Sequence, residues 1–183
     1  MKTHTILLTT LVLFTHWIYG ATIDEMVFSD HQTLNGENLK LNGLGLRKAT
    51  VFKVKVYAAG LYLLEPQHET HKVIQLKNPK ILVMKFMREV SQEKINDAWD
   101  KAFEEKAAQF AEEIKQLKKL MPNAKEGDTL EYIFWDDKTE FKINQTLKGT
   151  MAGGAWGKAL LNTWIGSHPP TEELKDGLLG LKH

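Results

Sequence analysis

The fold is decided by residues 42–65, NGLGLRKATVFKVKVYAAGLYLLE, in which a glycine-rich turn leads into the longest strand-like run of the chain. Between residues 51 and 64, alternate positions form an almost wholly apolar face, as the two-residue period of a strand requires. This face is expected in the core and comprises Phe52, Val54, Val56, Ala58, Gly60, Tyr62 and Leu64. The opposite face starts polar at Lys53 and Lys55 and ends apolar, so it is suited to line a pocket.

Arg47 and Tyr57 are the candidate binding residues of this stretch. Arg47 follows Gly43 and Gly45, which let a backbone bend or a ligand approach closely. A guanidinium offers a planar fork of donors and a phenol one further hydrogen bond, so the two side chains are predicted to clamp a carboxylate. An acyl tail would then lie along the apolar half of the strand and the helix-borne aromatic residues. The alternative is a surface arginine beside a half-buried strand tyrosine.

Composition excludes several classes of protein. The chain has 183 residues, no cysteine, and 24 basic against 23 acidic side chains, for a net charge of +1. No bulk charge favours nucleic acid as a partner. Apolar residues make up 43% and charged residues 26%, which is typical of a folded domain and not of a disordered chain.

Residues 1–20 predict a secretory signal peptide. Lys2 supplies a positive start, residues 6–14 (ILLTTLVLF) a short apolar segment, and Gly20 or Ala21 a small residue for cleavage. The alternative, a membrane anchor, would need about 20 apolar residues. We therefore expect a single mature domain over residues 21–183, exported to the periplasm or secreted, with no membrane span after signal removal.

The remaining pattern predicts an α+β domain, with a mostly antiparallel sheet and helices packed on one face. The predicted elements are a short strand at residues 39–42, a polar loop at 66–72, a strand at 81–87, either one long helix capped by Ser91 or two helices with a break near Glu105, ended by Pro122 and Asn123, a three-stranded meander from Thr129 to Met151, a helix from Trp156 to Trp164, and a last helix capped by Thr171 and stopped by Gly180.

Metal and cofactor chemistry finds little support in the sequence. His68 and His71 resemble a zinc-protease motif, but they are three residues apart in a polar loop, whereas that motif places its histidines four apart on one helix face. Gly43-Leu44-Gly45 lacks the third glycine and the following helix of a dinucleotide fingerprint. We expect neither a metal nor a cofactor.

Five motifs distributed over the chain form one set. They are GLGLR at residues 43–47, KVYAAGLYL at 55–63, SQEK at 91–94, ALLNTWIGSHPPT at 159–171 and GLLG at 177–180. In this combination the chain resembles the chalcone isomerase-like family, in its exported bacterial branch, over nearly all of the mature sequence. The resemblance implies an open-faced β-sandwich, and it implies one of two functions, because the family contains chalcone-cyclising plant enzymes and non-enzymatic fatty-acid binders.

The family's functional positions separate these two functions. Arg47 matches an arginine shared by both groups, and Tyr57 matches a tyrosine of the fatty-acid binders where the isomerases have threonine. Ser91 and Ala98 fall where the isomerases have a tyrosine and an asparagine. Thr163 matches a late Ser or Thr of the pocket. The resemblance therefore implies the fatty-acid-binding pattern at Arg47, Tyr57 and Thr163.

Three functional hypotheses remain open from the sequence. The leading one is an exported, non-catalytic binder of a fatty acid or similar amphipathic carboxylate. The second is an isomerase or intramolecular lyase acting on an enone or phenolic substrate, with Arg47 stabilising an enolate, Tyr57 as acid or base, and Thr163 in the pocket. The third is an interaction protein of the cell envelope whose pocket is closed by packing, which a structure with no cavity beside Arg47 would favour.

Overall fold

A computed structural model describes residues 20–181 of the chain. The predicted signal peptide, apart from its last residue, lies outside the described residues. The strands are β1 (Gly20–Ile23), β2 (Met26–Ser29), β3 (His31–Leu34), β4 (Glu37–Ala49), β5 (Val54–Leu63), β6 (Lys80–Phe86), β7 (Thr129–Phe134), β8 (Lys138–Ile143) and β9 (Thr146–Ala152). The helices are α1 (Thr70–Gln75), α2 (Gln92–Ala102), α3 (Ala111–Leu120), α4 (Gly154–Ile165) and α5 (Glu172–Leu178).

Strands β3 to β9 form one antiparallel sheet in which each strand pairs with its neighbours in the sequence, and β1 and β2 form a separate hairpin. This meander agrees with the predicted α+β class and the predicted antiparallel sheet. Its last three strands match the predicted meander, and β6 matches the apolar run at residues 81–87. Within residues 20–181, no helix combines the length and apolar character that a bilayer crossing requires.

The sheet has an apolar core on each face. One face carries Tyr57, Ala59, Leu61 and Leu63 of β5 and packs against α2 to α5. The other carries Ala58 and Tyr62 and packs against Phe28 of the β1–β2 hairpin. The second half of β5 is therefore buried on both sides. The face that was expected to line a pocket faces the larger, helix-covered core.

Phe52 corrects the predicted extent of the central strand. Residues 50–53 form the β4–β5 turn, closed by a 3.1 Å hydrogen bond from the Lys53 amide to the Thr50 carbonyl. Phe52 is 86% exposed and lies outside the core. The alternating pattern continued past the strand because residues 50–53 include none of the residues that usually mark a turn.

The glycine-rich segment before Arg47 also differs from its prediction. It is the second half of the 13-residue strand β4, with a bulge between Leu41 and Gly43, and not a turn. The helix α5 packs directly on it: a Cβ on Gly43 would collide with the carbonyl oxygen of Gly177, and one on Gly45 with the carbonyl oxygen of Leu174. These glycines are required for close approach of helix and strand, not of a ligand.

The predicted helix ends are confirmed. The Ser91 hydroxyl accepts a hydrogen bond from the Lys94 amide at 3.4 Å, and the Thr171 hydroxyl accepts one from the Leu174 amide at 3.3 Å. Gly180 adopts a φ of +67° just past α5. The predicted break near Glu105 is also present, because a short 3₁₀ turn at Glu104–Lys106 separates α2 from α3.

Candidate functional site

Arg47 and Tyr57 are directly opposite each other in the β4–β5 ladder. Opposed residues of an antiparallel pair project from the same face of the sheet. That face is the one covered by helices, because Tyr57 belongs to the larger core and Gly43 and Gly45 on the same side of β4 contact α5. The structure thus brings the two predicted clamp residues together under the helical layer.

Tyr57 is a neutral hydrogen-bonding group at physiological pH. Its side chain is 8% exposed, and burial raises the pKa of its phenol to about 12. A hydrogen bond from the Trp164 indole and the charge of Arg47 both oppose this rise in pKa, because each favours the phenolate. The phenol therefore keeps its proton and is available as a donor to an anion.

Arg47 is a half-buried cation. Its guanidinium donates a hydrogen bond to the carbonyl oxygen of the adjacent Lys48. Among residues 20–181, no carboxylate forms a salt bridge with it. A guanidinium presents several donors in one plane, so the single bond to Lys48 leaves most of them available for an anionic ligand.

An aromatic cluster surrounds the Tyr57 phenol. The Tyr57 ring lies 5.9 Å from that of Phe86 on β6, between ring centroids. Trp164 of α4, whose indole bonds the phenol, lies 5.0 Å from Tyr132 of β7 and 5.3 Å from Trp99 of α2. Four elements of the fold, two strands and two helices, therefore supply the walls around this tyrosine.

Trp99 contributes an unpaired polar atom to this cluster. Its side chain is 7% exposed, and its indole Nε1 has no hydrogen-bond partner among the described residues. A buried donor without a partner costs about 1–3 kcal/mol. Trp99 is linked to Tyr57 through Trp164, and an unpaired donor in this cluster is a natural contact for a ligand oxygen or a water molecule. The sequence pattern predicts Trp99 only as an apolar residue of a helix. The signal that this pattern leaves out is the indole N–H, which every tryptophan carries.

The other residues matched to family positions have local contacts of their own. The Thr163 hydroxyl donates to the Leu160 carbonyl at 2.8 Å within α4, so it is occupied by its own helix. Ser91 caps α2, and Ala98 is exposed on the outer side of that helix. Thr163 precedes Trp164, and this adjacency is its link to the aromatic cluster.

Neither of two cavities in the described structure reaches the Arg47–Tyr57 pair. One holds about 10 Å³, lies beside Lys80 and Trp135, and is large enough for about one water molecule. The other is a groove of about 440 Å³ between α2 and α3, lined by one acidic and three basic side chains together with Gln92, Asn96, Ala111 and Ile114. Neither of these two cavities could hold a ligand tail beside Tyr57, which is the outcome that the third hypothesis, a protein whose pocket is closed by packing, predicts.

The polar loop predicted at residues 66–72 is shorter in the structure, because helix α1 begins at Thr70 and includes His71. Both histidines of this segment have structural contacts. His68 Nδ1 lies 2.6 Å from the carbonyl oxygen of Leu179, which ties the loop to the end of α5. His71 lies 3.8 Å from a carboxylate oxygen of Glu69 on the surface. Across residues 20–181, histidine, aspartate and glutamate side chains nowhere gather in a group of three that could hold a metal ion.

Comparison with known proteins places these features in a family. The family model described as chalcone isomerase-like matches residues 20–180. No curated protein matches the chain. Among solved structures, a fatty-acid-binding protein of Arabidopsis thaliana has a similar fold, with a TM-score of 0.67 and 12% sequence identity over 85% of this chain and 92% of that chain. The chain therefore belongs to the chalcone isomerase-like family.

Proposed function

We propose that the protein is a non-catalytic binder of a fatty acid or a similar amphipathic carboxylate. The observation that carries this proposal is the placement of Arg47 opposite Tyr57 on the helix-covered face of the sheet. A permanent cation beside a phenol that stays protonated presents only donors to a carboxylate. The fold is shared with a protein that is described as binding fatty acids, which adds support at the level of the family.

The unpaired Trp99 donor fits the same ligand. Its indole lies within the aromatic cluster that surrounds Tyr57, through its edge-to-face contact with Trp164. A carboxylate has two oxygens and can accept from Arg47 and Tyr57 together, and we propose that the ligand also accepts from the Trp99 indole. In that arrangement the ligand would satisfy a donor that the described residues leave unsatisfied.

The apolar tail would enter a core that is closed without ligand. An acyl chain with about ten buried methylenes gains on the order of 8 kcal/mol. Association itself costs several kcal/mol, and a fractionally populated open state weakens the apparent affinity in proportion to its population. We therefore expect dissociation constants in the micromolar range, and slow association compared with that of a protein whose pocket is already open.

The direct test is calorimetric titration of delipidated protein with a long-chain fatty acid, comparing Arg47→Ala with Arg88→Ala. Arg88 is exposed, so its loss is a matched control for removal of one positive charge. We expect Arg47→Ala to weaken binding at least tenfold, because hydrogen bonds to charged groups contribute about 1.5–3 kcal/mol. Equal affinities for both variants would contradict the proposal, and chalcone turnover lost in Arg47→Ala would favour the isomerase alternative instead.

We further propose that the protein acts after export, in the periplasm or outside the cell. Support comes from the pattern of residues 1–20, a positive start followed by a short apolar segment and a small residue. The test is N-terminal sequencing of the protein recovered from its host. A mature chain that begins near Ala21 would support export, whereas an intact Met1 in soluble cytoplasmic protein would contradict it.

A further inference from the structure

The β4–β5 turn at residues 50–53 displays two adjacent apolar side chains to solvent. Val51 is 89% exposed and Phe52 is 86% exposed. Isolated apolar residues are common on protein surfaces, but two neighbours extended this far from the fold are not covered by any described residue. The turn tip, defined as residues 50–53, therefore carries apolar surface that the fold itself does not use.

The backbone of the turn tip is strained. Thr50 has a φ of +63° and Lys53 a φ of +52°, a region that a β-branched residue such as Thr50 rarely adopts. Asn, Asp or Gly would form such a turn with less strain. Strain of this kind persists where the surrounding structure requires it, and it is concentrated at functional positions. Here it holds Val51 and Phe52 outward at the end of the hairpin.

The chain on both sides of the turn tip is basic. Residues 47–55 include Arg47, Lys48, Lys53 and Lys55 and contain no acidic residue. Lys48 pairs with Glu173 at 2.8 Å and Lys55 with Asp24 at 2.6 Å, which anchors the base of the hairpin. Lys53, at the tip itself, is exposed and forms no salt bridge within residues 20–181.

A second turn, separated from the turn tip by strands β6 and β7, lies at the same end of the sheet. The register from β5 through β6, β7 and β8 places the β8–β9 turn at the end where residues 50–53 lie. Just after that turn, Leu147 is 53% exposed and is followed by the exposed Lys148. An apolar and a basic side chain are therefore exposed together at this second turn as well.

We propose that the turn tip docks the protein on an anionic phospholipid surface. Phe52 and Val51 would enter the boundary between head groups and acyl chains, and Lys53 would contact the negative head groups. The charge complementarity favours a lipid surface over a second copy of this chain, because two copies facing each other at the tip would bring like charges together. Docking does not depend on the proposed carboxylate ligand.

If the protein binds a fatty acid as proposed above, docking of the turn tip would also affect how the ligand reaches its site. Arg47 is three residues before the turn tip, and its partner Tyr57 is four residues after it. The carboxylate clamp would therefore lie next to the lipid surface, where fatty acids partition. Transfer from membrane to protein would then not require the ligand to cross free water.

The test is flotation of the purified protein with vesicles, using phosphatidylcholine alone or with about one third phosphatidylglycerol. The variant carries Val51→Ser and Phe52→Ser together, and the control carries Leu181→Ser. Leu181 is also exposed, at 43%, but it follows Gly180, which lies against Asn42 at the other end of the β4–β5 hairpin. Circular dichroism of both variants establishes that each is folded.

We expect the wild type and Leu181→Ser to bind anionic vesicles equally, and the double variant at least tenfold more weakly. Lys53→Ala should weaken binding by about fivefold, since one basic residue near an anionic surface contributes roughly that factor. Binding of the double variant equal to that of the wild type would overturn the proposal, as would a wild type that floats with neither vesicle. Dimerisation of the wild type without vesicles, lost in the double variant, would also overturn it. Fatty-acid titration without vesicles distinguishes failure of the docking proposal from failure of the proposed function. The double variant should still bind the fatty acid at the Arg47–Tyr57 site in that titration.

Discussion

Replacing Tyr57 with Phe removes one oxygen atom from the candidate site and leaves the ring in place. We expect the affinity for a fatty acid to fall about 10- to 150-fold, because a hydrogen bond to a charged group contributes about 1.5–3 kcal/mol. The free energy of unfolding of the ligand-free protein should also fall, by about 1–3 kcal/mol, since the indole of Trp164 loses its acceptor inside the core.

Tyr62→Phe is the matched control on the same strand. The Tyr62 hydroxyl donates to the Ser29 carbonyl at 2.9 Å, and its side chain projects from the opposite face of β5. Its loss should cost about 1 kcal/mol of stability and leave fatty-acid affinity unchanged. The pair of variants therefore separates an effect on binding from a general effect on folding.

The assays are calorimetric titration with a long-chain fatty acid and urea unfolding of the same preparations. The reasoning would be refuted if Tyr57→Phe bound ligand as tightly as the wild type. It would equally be refuted if Tyr62→Phe lost as much affinity as Tyr57→Phe, since loss of affinity would then follow stability and not the position of the hydroxyl.

Three further variants test other parts of the structure. Gly43→Ala should lower the free energy of unfolding by about 3 kcal/mol, because the new methyl meets the rigid backbone of α5. In the control Gly149→Ala, the methyl meets only the flexible Leu120 side chain, so the free energy of unfolding should fall by about 1 kcal/mol or less, and urea midpoints measure both variants. Burial lowers the pKa of Lys80 to about 8, so between pH 8 and 10 the folded protein has lost this proton while the unfolded chain keeps it. The free energy of unfolding, measured relative to that of Lys80→Met, should therefore rise by about 2 kcal/mol across that range. Equal pH profiles of the two proteins would contradict this. Trp99→Phe removes the unpaired N–H, so the free energy of unfolding without ligand should change by less than about 1 kcal/mol. Fatty-acid affinity should fall roughly five- to tenfold, and an unchanged affinity would exclude the indole as a ligand contact.

Local patterns in the sequence were sufficient for much of the fold. Ser91 and Thr171 could be assigned as helix caps because capping depends on residues three positions apart. Strand β6 and the last three strands could be assigned because their apolar periods and turn residues are contiguous. These features depend on short stretches of chain, and a single sequence contains that information.

The errors arose where the cause lies far away in the chain. Gly43 packs against Gly177, so the reason for the glycine is a helix 134 positions later, which spacing within residues 42–65 cannot show. Phe52 extended the alternating pattern backwards beyond the start of β5, because the turn that precedes the strand contains no residue typical of turns. Both positions break a local rule for a reason that only the tertiary structure shows.

The candidate site was predictable in its anchor residues and not in its surroundings. Arg47 and Tyr57 flank one turn, so strand pairing across that turn could bring them together. Trp164 of α4 reaches Tyr57, and Trp99 of α2 packs on Trp164; the sequence could not place these two helices relative to each other. The packing of these helices leaves the Trp99 indole without a hydrogen-bond partner among the described residues. The same packing determines where the two described cavities lie, and Arg47 lines neither of them.

The most direct test of the central claim is native mass spectrometry of the mature protein purified gently from its host, with extraction and identification of any bound small molecule. We expect a fatty acid or related carboxylate in the wild type and in Arg88→Ala, and none in Arg47→Ala. A wild type that carries no such molecule and takes up no added fatty acid would contradict the claim and would favour a protein whose core stays closed.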